Sequence, residues 1–134
     1  MSPEDQLAVH AVIARYGHVL DTGGEPFATV FTADAEFVVA LPDGTVSRSR
    51  GIRDVVTMLT GAPEDPRPRP DRPAFSHHTT NVEIVASTDD SCEVRSKYFR
   101  LGPPGVAIGQ YLDTVVRTPD GWRIARRVTV PHGG

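Results

Sequence analysis

The stretch Ser76-His77-His78-Thr79-Thr80-Asn81 leads two of the chain's five histidines into Val82-Glu83-Ile84, a β-branched run that reads as a strand. Histidine exchanges protons near neutrality, so a histidine on a pocket-lining strand is a candidate general base. Strict alternation puts His78 on the face of Val82 and Ile84 and His77 with Asn81 on the other, and a bulge would exchange the two. Two other residues could join such a base. Tyr16 falls on the apolar stripe Val9, Val12, Ile13, Tyr16, Leu20 of an N-terminal helix, which turns its hydroxyl toward the interior, where it needs a partner. Asp21 follows at the end of that helix, where a carboxylate opposes the macrodipole. It reads either as a solvated loop residue or as an acid held there to serve another group.

Other chemistries find little support. The glycine pairs lack the G-x-G-x-x-G and G-x-x-x-x-G-K-[ST] patterns of nucleotide loops. Adjacent strand positions point to opposite faces, so His77 and His78 cannot chelate one ion, and no metal or other cofactor is expected. Cys92 is the single cysteine, which excludes an internal disulfide and cysteine-based zinc spacing, and it reads as a small buried hydrophobe. A net charge of −3 gives no basic footprint for nucleic acid or anionic membrane. No apolar run approaches a membrane span and no signal peptide opens the chain, so a cytoplasmic location is expected. A chain of 134 residues suits one domain, 1–134, with a real core.

The elements that must position these residues come next. Ser2-Pro3-Glu4-Asp5 is a helix start with a serine cap and a first-turn proline, and the helix runs over 3–20 until Gly23-Gly24 stops it. A short helix over 25–31 is anchored by Phe27, Val30 and Phe31. A strand over 35–41, a Pro42-Asp43-Gly44 turn and a strand over 45–50 lead to a helix over 51–60. Five prolines in 62–74 exclude helix or inner strand, so that segment is a surface loop and a candidate lid. Strands over 76–85, 92–101, 106–117 and 122–130, joined by tight turns, imply antiparallel neighbours. In the last of them Trp122, Ile124, Val128 and Val130 share a face with Arg126, which makes Arg126 an ion-pair candidate. Helices followed by an antiparallel sheet indicate an α+β fold. Its expected form is a cone-shaped α+β barrel, with N-terminal helices packed on one strongly curved, mainly antiparallel sheet. Such a cone suits a small, mostly apolar ligand.

The order and spacing of Tyr16-x4-Asp21, Phe27-x3-Phe31-Thr32-x-Asp34-Ala35-x-Phe37, His77-x3-Asn81, Gly109-x-Tyr111-x-Asp113 and Asp120-Gly121-Trp122-Arg123-Ile124 resemble the SnoaL-like branch of the nuclear transport factor 2-like superfamily. Scytalone dehydratase and bile acid 7α-dehydratase are relatives in it. The resemblance spans nearly the whole chain. It implies a helix-lined cone and a homo-oligomer, a dimer first and a trimer as the alternative. It also implies catalytic roles for Tyr16, Asp21 and His77, and so selects His77 over His78. His78, Asn81, Tyr98, Tyr111 and Asp113 are then candidate substrate-contacting residues, with cross-strand packing of the tyrosines and solvation of Asp113 as the competing reading. One departure stands out, since scytalone dehydratase has a second catalytic histidine on a later strand and this chain has none there. The expected function is cofactor-independent dehydration, isomerisation or cyclisation of a small, largely apolar molecule such as a polyketide or steroid-like compound. A non-catalytic binding or assembly module of the same fold is the alternative, because fold does not fix the reaction.

Overall fold

The computed structural model describes residues 1–64 and 73–133. Most of the proline-rich segment proposed above as a lid lies outside the described residues. Helix α1 (Pro3–Thr22) begins as the sequence dictates, with the Ser2 hydroxyl accepting the Asp5 amide at 3.0 Å and proline at the first turn. Its buried stripe is Val9, Val12, Ile13, Tyr16, Val19 and Leu20, and Asp21 is buried with it. Asp5 ties the N-terminal end down by accepting from the Trp122 indole at 3.1 Å and pairing with Arg117 at 2.9 Å. These donors hold its carboxyl well below the usual carboxylate range.

The expected second helix is only a single 3-10 turn, Phe27–Thr29, and Phe31 already opens strand β1 (Phe31–Ala40). Phe27, Val30 and Phe31 are all buried, so the apolar anchors are those expected although the helix around them is cut to one turn and Phe31 is already extended. Strand β2 (Val46–Arg50) and helix α2 (Ile52–Thr60) follow, then β3 (Ser76–Ser87), β4 (Ser91–Gly102), β5 (Gly105–Thr118) and β6 (Gly121–His132). The six strands form one sheet in the order β2-β1-β6-β5-β4-β3. All neighbours are antiparallel except β1 and β6, which run parallel. The sheet is therefore mixed and open, with both helices on its concave side. Among the described residues no helix is long and apolar enough to cross a membrane.

Two irregularities decide which residues face the helices. In β3 the pairing slips between Thr80 and Glu83, and Asn81 there takes a left-handed φ of 54°. This is a bulge. It puts His77 and Thr79 on the same concave face as Val82 and Ile84. In β6 the pairing slips between Ile124 and Arg126. The concave face there carries Trp122 and Ile124, then Arg127 and Thr129, all buried. Val128, Val130 and Arg126 thus lie on the convex side, which corrects the shared face expected for Trp122, Ile124, Val128 and Val130. Arg126 does find a carboxylate, Glu36 at 3.5 Å, but near the surface and beside Arg48 and Arg50.

Candidate active site

The C-terminal turn of α1 lies against the start of β3. Gly17 makes the approach possible, because a Cβ built on it would sit 2.9 Å from the carbonyl oxygen of His77. Asp21, one turn further on the same helix face, then reaches the same residue. Its Oδ1 lies 2.5 Å from His77 Nδ1, and its Oδ2 accepts the His77 backbone N–H at 2.7 Å. A carboxylate at Nδ1 fixes the imidazole as the tautomer protonated there, leaving Nε2 with its lone pair. The pair has the geometry that an orienting acid and a general base would need. The misplacement of Asp21 against the helix dipole is offset by these two hydrogen bonds.

His77 lines a cavity of about 360 Å³ together with Tyr16 and Leu20 from α1, Phe37 from β1, Met58 and Leu59 from α2, Phe75, and residues of β4, β5 and β6. Tyr98 and Tyr111 are on its wall, stacked with ring centroids 4.5 Å apart. Gly109 is the reason Tyr98 can lie flat there, since an added Cβ would meet its hydroxyl oxygen at 2.5 Å. Tyr16 sits edge-on to Tyr111 at 5.9 Å and to Phe31 at 6.0 Å. Burial pushes the Tyr16 hydroxyl up to about 12, against the opposing pull of Arg127 and of a hydrogen bond with Tyr111. Burial likewise holds Tyr111 well above its ordinary value. Both phenols are therefore neutral donors at physiological pH.

Under these rings lies a fully buried ion pair. Arg127 donates from Nε and Nη2 to the two oxygens of Asp113, each at 2.8 Å. Its guanidinium carbon is 3.7 Å from the Tyr111 ring centroid and 4.3 Å from that of Tyr16. Burial opposes the charge, and Asp113 more than compensates, so Arg127 stays protonated. Removing one member of such a pair costs about 3–5 kcal/mol, which makes the pair the rigid floor beneath the two tyrosines. The Oγ1 of Thr129, on the cavity wall, and Nη1 of Arg127 have no hydrogen-bond partner among the described residues.

The structure thus brings Tyr16, His77, Tyr98 and Tyr111 to one cavity, with Asp21 directly behind His77. Asp113 lies one layer below, neither solvated nor on the wall. His78 and Asn81 are elsewhere. His78 projects from the convex face, stacked on Phe99 at 4.7 Å and bonded to the Ser76 hydroxyl at 2.7 Å. Asn81 forms the β3 bulge and borders a separate surface depression with Glu83, Arg95 and Lys97. Neither lines this cavity, because the bulge turns one residue outward and consumes the other. Arg100 and Arg127 were missed. The only sequence signal for Arg127 was an arginine next to the one that strict alternation turned inward. Cys92 is buried, and burial with nearby Glu93 and Asp113 raises its thiol to about 11, so it is no thiolate nucleophile. Among the described residues no group of three or more His, Cys, Asp or Glu side chains could hold a metal ion.

Residues 2–128 match the SnoaL-like domain family. The chain belongs to that family. As a SnoaL-like domain it is 32% identical over 129 residues to the small subunit of anthranilate 1,2-dioxygenase from Burkholderia cepacia, covering 84% of this chain and 77% of that one. Among solved structures it is similar to a candidate scytalone dehydratase from Novosphingobium aromaticivorans, with 25% identity and a TM-score of 0.71 over 96% of this chain and 84% of the other. A second protein from that organism, described as nuclear transport factor 2-like with a cystatin-like fold, has 21% identity and a TM-score of 0.71 over 98% of this chain and 84% of its own. The latter likeness speaks to the SnoaL-like fold alone.

Proposed function

We propose that this SnoaL-like domain is a cofactor-independent acid–base enzyme of dehydratase, isomerase or cyclase type, acting on a small, largely apolar molecule within the cone. The observation that carries this reading is the Asp21–His77 pair, which gives a cavity-lining imidazole a fixed tautomer. His77 Nε2 takes a proton from a carbon next to a carbonyl, or from a hydroxylated carbon skeleton. Tyr16, kept neutral by burial, donates a hydrogen bond to the oxygen that gains charge. A positioned base is worth roughly 10²–10⁴-fold and one oxyanion donor roughly 10²–10³-fold. Asp21 acts through His77 and needs no contact with substrate.

The likeness to a dioxygenase small subunit supports a second reading, a binding or assembly module that keeps the cone without acid–base work. Proton–deuterium exchange next to the carbonyl of a panel of cyclic and aryl ketones, followed by NMR, separates the two. The enzyme reading expects exchange that depends on protein, is lost in His77→Ala and is strongly slowed in Asp21→Asn. Exchange equal in the wild type and His77→Ala rejects it, and purification in a stoichiometric complex with a larger oxygenase subunit would then favour the module.

A further inference from the structure

The cavity's ionisable lining is lopsided. Among the described residues it contains Tyr16, His77, Tyr98, Arg100 and Tyr111, and no carboxylate. Asp21 and Asp113 lie behind the wall, committed to His77 and Arg127. Among the described internal cations Arg100 is the exception. It stands on the concave face of β4, directly opposite His77 of β3 and Ala107 of β5 in the register. Its guanidinium has no ion pair and no hydrogen bond among the described residues. Its guanidinium carbon lies over the Phe75 ring, 5.7 Å from the centroid. That contact is long for a cation–π interaction and satisfies none of the five N–H donors. The same Phe75 ring stands edge-on to the His77 imidazole at 5.6 Å, so the guanidinium and the base flank one aromatic ring. Ala107, the β5 neighbour on the other flank of Arg100, is a small residue and also lines the cavity.

We infer that the cavity is built for a small aromatic or alicyclic carboxylate, with Arg100 as the specificity-determining residue that receives the carboxylate. A partly buried guanidinium offers a planar fork that matches a carboxylate and that neutral apolar molecules leave unpaired. The rings of Tyr16, Phe37, Phe75, Tyr98 and Tyr111 supply the apolar envelope for the body of the ligand. About 360 Å³ is near the lower end of ligand pockets, enough for one or two rings rather than an extended chain. With its acid group at Arg100, the ligand presents the adjoining carbons to the side of Phe75 where His77 stands. The inference rests on the cavity of the proposed function and names the class of molecule that enters it.

Equilibrium binding tests it without turnover. Benzoate and 1-naphthoate are compared with benzamide and 1-naphthamide by titration into ¹⁵N-labelled protein, with the amide resonances of Ala107 and Tyr111 as reporters. Each acid is expected to bind roughly 10–100-fold more tightly than its amide. Arg100→Gln should abolish the difference while leaving the melting temperature unchanged, and Arg100→Lys should restore part of it. Equal affinities for acid and amide, a preference that survives Arg100→Gln, or no shift at Ala107 and Tyr111 with either acid at millimolar concentration overturns the inference. The two readings fail separately. His77-dependent exchange without acid preference leaves the enzyme and removes this ligand class, and acid preference without exchange does the reverse.

Discussion

Tyr16 illustrates how a residue's surroundings rather than its type set its chemistry. Its phenol is enclosed by Phe31, Phe37, Tyr111 and the Arg127 guanidinium, and burial raises its pKa from the ordinary 10 to about 12. The unfolded chain releases this proton near pH 10 while the folded chain retains it, so the stability it contributes is fully present below pH 10 and is lost as pH rises toward 12. Tyr111 and Tyr98 are shifted in the same direction. Urea unfolding at stepped alkaline pH should show stability falling across that window, with the slope smaller in Tyr16→Phe by a total of about 2–3 kcal/mol. A native tyrosinate absorbance at pH 10 that is lost in Tyr16→Phe would contradict it. Tyr16 was legible from the helix stripe alone. The Arg127–Asp113 pair beneath it was not, because no local pattern announces which arginine a curved strand turns inward.

At the level of elements, helices and strands followed from apolar spacing, caps and turn residues, and their faces did not. Period-two reasoning on β3 assigns His78 to the core, and on β6 it assigns Arg126. In each strand one slipped residue, near Asn81 and near Ala125, reverses that assignment. Asn81 carries the weak signal that exists, since asparagine tolerates a left-handed φ better than most residues. The 3-10 turn at Phe27–Thr29 failed for a different reason, as three apolar anchors cannot distinguish one turn of helix from the start of a strand. The close approach of α1 to β3 at Gly17 yields a sharp expectation. Gly17→Ala improves helix propensity by roughly 1 kcal/mol yet drives a methyl group to 2.9 Å from a backbone oxygen, which must move. The Asp21–His77 bond should lengthen, and the downfield imidazole N–H resonance that marks it should weaken or vanish by ¹H NMR. An unchanged resonance would mean that the helix does not depend on Gly17 for its height above the strand.

For the molecule as a whole, the open sheet has a concave side filled by helices and a convex side with none. Ile108 and Leu112 are 49% and 42% exposed on that convex side, and Phe99, Val128 and Val130 neighbour them in the register. Apolar patches of this kind on a sheet mark interaction surfaces, so a homodimer formed through the sheet is our expectation. Sedimentation equilibrium at micromolar concentration should give twice the 14.5 kDa chain mass, and Leu112→Glu should reduce it to one. A wild-type protein that sediments as a single chain would remove this surface from consideration. Strand β3 closes the other side of the sheet, and here the hydrogen bond from the His77 amide to Asp21 has a second meaning. A terminal strand offers its unpaired N–H groups to any passing extended chain, and proteins commonly block such rows to prevent strand-by-strand aggregation. Asp21 occupies one of those donors with a charged oxygen and brings a helix end to cover it. The carboxylate that orients the His77 ring also takes one donor out of that edge.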